Sequence, residues 1–268
     1  MSQDWKKTKT IHYKDELNDD FNELDGVKKR PPLKDNYHFV HKNIFQFVID
    51  MILYYLLAKP ILGIFCLFHG IRFKGKKNLK ALHHQGAYIY SNHVSISDVF
   101  KFQSFIFFFK HINIIGYSDA SSIPIAKFLV KSLGYLPIPV DNPRQTTELK
   151  EACHYLTKKK KEYVVIYPEA HIWPYYTKIR PFTSVSFHYP AEYMTPVVPA
   201  TTIYRKVFYS KKPRQTVIFS SPIYPLEELT VTENKKYLRD RCYEEMSKIS
   251  SSYKQVEYIK YIKDNKDD

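Results

Sequence analysis

From residue 70 onward, short apolar runs recur with helical stretches between them. That alternation constrains the fold more than any other feature of the chain. Strand-like runs fall at 71–73, 87–91, 112–115, 163–167, 195–204 and 216–219, and helical candidates at 97–109, 124–133, 146–161 and 185–192. Strands joined through helices pair in parallel, because the chain must cross back over the sheet before it can pair again. The expectation is an α/β domain over residues 71–226, with a mostly parallel central sheet flanked by helices.

The flanks differ in character. Residues 1–36 are highly charged, alternate in sign and end in Lys28-Lys29-Arg30-Pro31-Pro32, so they read as a mobile or loosely docked arm. Residues 37–70 carry the run FQFVIDMILYYLLAKPILGIFCLF at 45–68. Asp50 interrupts it early, and Lys59-Pro60 divides the rest into two eight-residue pieces, each shorter than the roughly 20 residues a membrane span needs. With Lys42, Arg72, Lys74, Lys76 and Lys77 on either side, this segment reads as a membrane-associating helical hairpin, bent at Lys59-Pro60 and seated in or on one leaflet. A helical pair buried in the core and a single spanning helix are the other readings. Residues 227–268 read as a C-terminal helix and polar tail.

A formal charge of +14 over 268 residues favours an anionic partner: nucleic acid, a membrane surface or a phosphorylated substrate. The cations are scattered, without an RNA-recognition or zinc-finger pattern, so nucleic acid is not expected. Cys66, Cys153 and Cys242 lie far apart; they read as reduced thiols, with no disulfide framework and no metal site. The 7 glycines form no phosphate-cradling loop, which argues against P-loop or dinucleotide binding. The first ten residues lack an apolar signal region. A peripheral or monotopic protein on the cytoplasmic face of a membrane is expected, and abundant lysine, tyrosine and isoleucine point to an AT-rich, bacterial genome.

The chemistry concentrates at the ends of the strand-like runs. Asn92-His93-Val94-Ser95-Ile96-Ser97-Asp98 follows the run AYIY at 87–90. If the chain turns there, the Asp98 carboxylate folds back onto the His93 imidazole. It then fixes the tautomer and leaves the other ring nitrogen as a general base for a substrate hydroxyl. Taken alone, the spacing suits equally well a turn in which Asp98 caps a helix and His93 is a satisfied core residue. Further on, an apolar run from Gly134 ends in Asp141 and Arg144. The run YVVIY delivers Glu169 past its C-terminal end, where open α/β sheets bind ligands. Lys178 and Arg180 follow; a guanidinium can hold a phosphate through two bonds, and a solvated loop charge is the other reading of both. Pro196-Val197-Val198-Pro199 offers an apolar wall.

In this order the four blocks resemble the glycerophospholipid acyltransferase family, with its N-H-x4-D, G-x-I-x-V-x-R, P-E-G-T-R and V-x-P-V blocks. The similarity runs over about residues 45–225. Two departures stand out. The third block reads Pro168-Glu169-Ala170-His171-Ile172, without the family's arginine, and Arg144 is displaced from the family's place in the second block. The resemblance implies an O-acyltransferase with His93 as general base and Asp98 as its orienting partner. Asn92, Arg144, Glu169, Lys178 and Arg180 would contact the substrate, Arg180 standing in for the missing arginine. It further implies a lysophospholipid acceptor, lysophosphatidic acid first, and an acyl thioester donor, coenzyme A or acyl carrier protein, with no bound cofactor. The same chemistry on glycerol-3-phosphate or another lysophospholipid is the alternative, and a non-catalytic basic lipid- or nucleic-acid-binding protein the remote one.

Overall fold

A computed structural model describes residues 9–21, 31–40, 43–104, 110–118 and 132–264. Its strands are β1 (Lys9–Tyr13), β2 (Arg72–Lys74), β3 (Ala87–Ser91), β4 (Ile112–Tyr117), β5 (Tyr135–Ile138), β6 (Tyr163–Ile166), β7 (Val197–Arg205), β8 (Arg214–Phe219) and β9 (Ile259–Lys263). Seven of them form one sheet in the order β2-β8-β7-β3-β6-β4-β5. Every neighbouring pair in it is parallel except β7 and β8. The expected mostly parallel sheet is therefore present, with an antiparallel hairpin near one edge. The 124–131 part of an expected helix and the 105–109 part of another lie outside the described residues.

Helices cover both faces. On one lie α1 (Ile44–Phe68) and α2 (Asp98–Lys101), packed over a core of Cys66, Leu82, Ile89, Phe102, Val165 and Phe219. On the other lie α3 (Pro143–His154), α4 (His188–Glu192) and α5 (Val231–Ser252), over Tyr88, Tyr90, Val164, Phe187, Leu238 and Met246. Strand β3 sits between β6 and β7 and is buried along its whole length. This explains its apolar run Ala87–Tyr90: neither face of the strand meets water.

The expected hairpin at Lys59-Pro60 is instead one continuous helix, α1. Proline lacks an N–H and crowds the carbonyl four residues back. Here a π-helical stretch over Leu53–Ala58 widens the helix just before Pro60, and the axis runs on through it. Helix α1 also inverts the usual burial pattern. Its protein-facing side carries Asp50, Tyr54, Lys59 and Cys66, with the Lys59 ammonium donating to the Lys110 carbonyl at 2.9 Å, while Phe45, Ile52, Leu56, Ile64, Leu67 and Phe68 face outward.

Residues 9–21, read from sequence as part of a loosely held arm, are docked, and the expected polar tail holds a strand. β1 pairs in parallel with β9 in a separate two-stranded sheet. This clasp closes over Trp173, which is fully buried. Tyr13 and Phe21 meet its ring edge-on at 4.7 and 5.2 Å, Tyr261 stacks on it at 5.0 Å, and its indole N–H donates to the Asp19 carbonyl at 2.7 Å. Removing residues 1–21 takes away Trp5 as well and leaves Trp173 as the sole tryptophan. Its fluorescence is expected to shift to the red and become quenchable by iodide, relative to the full chain carrying Trp5→Phe. Unchanged emission would show that the arm does not cover it.

Candidate active site

The site is built where the central strands end. Register places Ser91 of β3 beside Ala200 of β7, and Tyr90 beside Ile166 of β6, so the segments following β3 and β6 emerge together. At Asn92 the backbone leaves the sheet, and the side chain takes over the ladder. Its amide donates to the Thr202 carbonyl at 3.0 Å and its oxygen accepts the Thr202 N–H at 2.7 Å. Asn92, expected to touch substrate, is thus spent on anchoring the turn to β7.

His93 follows, and the turn brings Asp98 back to it. One oxygen of the fully buried Asp98 carboxylate accepts the Val94 and Ser95 amides at 2.7 and 2.9 Å and meets His93 Nδ1 at 3.1 Å. This carboxylate shapes the turn and orients the ring together. His93 Nδ1 is held, and Nε2 makes no hydrogen bond among the described residues. The imidazole stacks on Tyr167, centroids 4.3 Å apart, and the Tyr167 hydroxyl donates to the Asp98 carbonyl. Such a histidine can take a proton at Nε2 while its carboxylate partner balances the charge.

The other Asp98 oxygen meets a residue that sequence reasoning missed. Lys101 is fully buried one helical turn on, its ammonium 2.6 Å from Asp98 Oδ1 and 2.7 Å from the Thr202 hydroxyl. Burial pushes the Asp98 carboxyl up, but the Lys101 ammonium and the His93 hydrogen bond outweigh it and hold Asp98 below its ordinary value. Burial in turn pulls the Lys101 ammonium down against the attraction of Asp98. A signal existed in sequence: a lone lysine three positions after Asp98, inside the apolar run Val99-Phe100-Lys101-Phe102.

Glu169 lies just past β6 and braces the same turn. Its carboxylate accepts the His93 amide at 3.0 Å and the Arg180 amide at 2.9 Å. Arg180 does not face outward to a phosphate, as the sequence suggested. It is fully buried, its guanidinium 3.5 Å from Glu169, donating to the carbonyls of Glu16, Glu169 and His171 and lying over the Trp173 ring. A buried carboxylate needs such a partner, and a buried guanidinium needs acceptors around it. Burial still dominates at Glu169, whose carboxyl titrates above its ordinary value despite Arg180 and the two amides. The segment after it returns to the turn, with Trp173 N–H on the His93 carbonyl at 3.1 Å and Tyr175 N–H on the Val94 carbonyl at 3.0 Å. Ala170 holds a φ of 63°, a left-handed conformation that glycine adopts without cost.

A family model described as Acyltransferase matches residues 70–203, half of the chain. The chain belongs to the acyltransferase family. A search of curated proteins returned no match. Among solved structures, the crystal structure of the 1-acyl-sn-glycerophosphate (LPA) acyltransferase PlsC from Thermotoga maritima is similar to this acyltransferase in fold. Its TM-score is 0.51 at 14% identity, covering 79% of this chain and 91% of that one. The matched segment contains His93, Asp98, Lys101, Arg144, Glu169 and Arg180 together.

The other expected cations lie at the surface. Lys178 is exposed, and Arg144 is exposed beside Glu148 at 3.0 Å, at the start of α3. Arg144 borders a groove of about 710 Å³ together with Tyr37, Phe39 and Tyr155. A second cavity, of about 240 Å³, lies under the start of α1 against His111, Asn113 and Glu162. Neither is lined by His93. The three cysteines are buried, and burial pushes each thiol up, so none is poised as a nucleophile.

Lys101→Met leaves Asp98 as an uncompensated buried charge and is expected to cost about 3–5 kcal/mol of stability. Adding Asp98→Asn removes that charge, so the double variant should be more stable than the sum of the two single losses implies, by about 1–3 kcal/mol. Denaturant unfolding of the four proteins measures this. Strict additivity would mean that the pair is not coupled.

Proposed function

We propose that this acyltransferase moves a fatty acyl group from a thioester donor, acyl carrier protein or coenzyme A, to the free hydroxyl of lysophosphatidic acid, giving phosphatidic acid. The observation that carries the reading is the His93–Asp98 pair: a buried carboxylate on Nδ1, with Nε2 turned away from it. His93 Nε2 takes the hydroxyl proton as the oxygen attacks the thioester carbonyl. A C–O ester bond forms, the C–S bond breaks, and the proton passes to the departing thiolate. Asp98 keeps the tautomer and balances the imidazolium. The Thermotoga protein is an acyltransferase of 1-acyl-sn-glycerophosphate, which is lysophosphatidic acid. Acceptor choice here rests on that likeness and on the basic surface.

Phosphate recognition passes to other cations than Arg180. Lys178 and Arg144 lie exposed at the surface, and the exposed Arg144–Glu148 contact is cheap to exchange for a phosphate. The outward apolar face of α1 seats the enzyme at the leaflet that holds its acceptor. Ile44–Phe68 is long and apolar enough to cross a membrane, but the packing of its inner face through Tyr54, Lys59 and Cys66 supports a seat in the interface instead.

The test is acyl transfer in mixed micelles with lysophosphatidic acid and each donor in turn. His93→Ala is expected to lower turnover by about 10²–10⁴-fold with the fold intact. Lys178→Ala and Arg144→Ala should raise KM for the acceptor, whereas Arg180→Ala should act on stability. Full turnover by His93→Ala would contradict the assignment. Turnover with glycerol-3-phosphate alone would move the acceptor.

A further inference from the structure

The hairpin joining β7 to β8 carries a feature that the acyl-transfer chemistry does not use. Between Arg205 and Arg214 the chain reads Arg-Lys-Val-Phe-Tyr-Ser-Lys-Lys-Pro-Arg, with five cations and no acid. Val207 and Pro213 are buried at its base, while Phe208 is 90% and Tyr209 56% exposed. The tip is tied to itself through Ser210, whose hydroxyl donates to the Lys212 carbonyl at 2.9 Å and accepts the Lys212 amide at 3.2 Å. Two bulky aromatic residues are thus presented outward by an ordered turn, with Lys206, Lys211 and Lys212 exposed around them.

The hairpin is latched to the end of α1. Arg205 donates to the Gly70 carbonyl at 2.6 Å and to the Thr216 hydroxyl at 3.0 Å, and Arg214 donates to the His69 carbonyl at 3.2 Å. Gly70 has a φ of 60°, and a side chain there would press on the Tyr209 hydroxyl at 3.0 Å. Leu67 and Phe68, the last residues of α1, are 67% and 78% exposed. The helix end and the hairpin tip are therefore neighbouring parts of one rigid unit, each showing apolar side chains to the outside. β7 also runs parallel to β3 and continues past its end, because Ser91 faces Ala200 and β7 extends to Arg205. The tip consequently projects from the same end of the sheet that carries His93.

We infer that this hairpin is a second membrane-docking element, specific for an anionic leaflet, which with the end of α1 fixes the end of the sheet bearing His93 toward the lipid surface. Aromatic side chains ringed by lysines suit the headgroup region, where rings sit below the phosphates and ammonium groups among them. Apolar side chains exposed this far on an ordered turn call for a partner, and the surrounding charge selects a negative one. The inference rests on the interfacial reading of α1 given above.

The experiment places a reporter at each element. Cys66, Cys153 and Cys242 are buried, so an environment-sensitive fluorophore attaches selectively to Phe208→Cys or to Phe68→Cys. With equimolar phosphatidylcholine and phosphatidylglycerol vesicles, both labels are expected to shift to the blue and brighten. High salt or pure phosphatidylcholine should weaken the response. Replacing Lys206, Lys211 and Lys212 by glutamine should lower vesicle affinity by about tenfold or more, with an unchanged circular dichroism spectrum showing that the fold persists. A label at 208 that stays water-like while the one at 68 shifts would overturn the hairpin inference and leave the role of α1 standing. Silence at both positions would overturn the interfacial reading itself. Equal affinity for pure phosphatidylcholine would overturn the charge selection.

Discussion

The Asp98 carboxylate is the group on which the site depends. It is fully buried, and each of its oxygens has a separate task. One gathers the Val94 and Ser95 amides and His93 Nδ1, so it folds the turn and orients the ring in a single contact. The other holds Lys101, which in turn reaches Thr202 on β7. An unaccompanied charge at this depth would be costly. The lysine makes the carboxylate tenable, and the carboxylate makes the histidine directional. The path from strand end to site is short: β3 ends, Asn92 hooks to β7, the turn closes on Asp98, and Nε2 is the ring nitrogen left without a hydrogen bond among the described residues.

A second buried pair supports the first from the other side. Glu169 and Arg180 hold the loop past β6, and that loop returns amides to the His93 and Val94 carbonyls. The clasp of β1 and β9 covers Trp173 and adds the Glu16 carbonyl to Arg180. The N-terminal segment therefore takes part in holding the site, although it lies more than 70 residues from His93 in the chain. The fold thus spends two acids and two bases, all buried, on fixing one turn.

What could be read from sequence and what could not follows from the range of the interactions. The parallel sheet was legible because its alternation is local; the contact of His93 with Asp98 closes within six residues, which made it one of two local readings, and the order of the four blocks singled it out. Glu169 was placed past a strand end for the same reason. Arg180 was misjudged because a loop cation carries no mark of whether a buried carboxylate claims it. The docking of residues 9–21 was illegible because the pairing of Lys9 with Ile259 spans nearly the whole chain. Lys59-Pro60 suggested a bend, and the widened π-helical turn before it, a feature without a sequence period, kept the helix continuous. In the same helix, exposed Leu and Phe opposite buried Asp50 and Lys59 reverse the soluble pattern. That reversal leaves the helix with an unpartnered apolar face, which the run of apolar letters by itself does not reveal.

The most direct test of the account is the tautomer of His93. Nitrogen-15 spectra of the labelled imidazole, recorded at a pH where the ring is neutral, distinguish a proton on Nδ1 from one on Nε2. The proton is expected on Nδ1, held by Asp98, with Nε2 unprotonated and the preference lost in Asp98→Asn. A proton resident on Nε2 in the unaltered protein would contradict it, because the nitrogen assigned to take the acceptor's proton would already carry one.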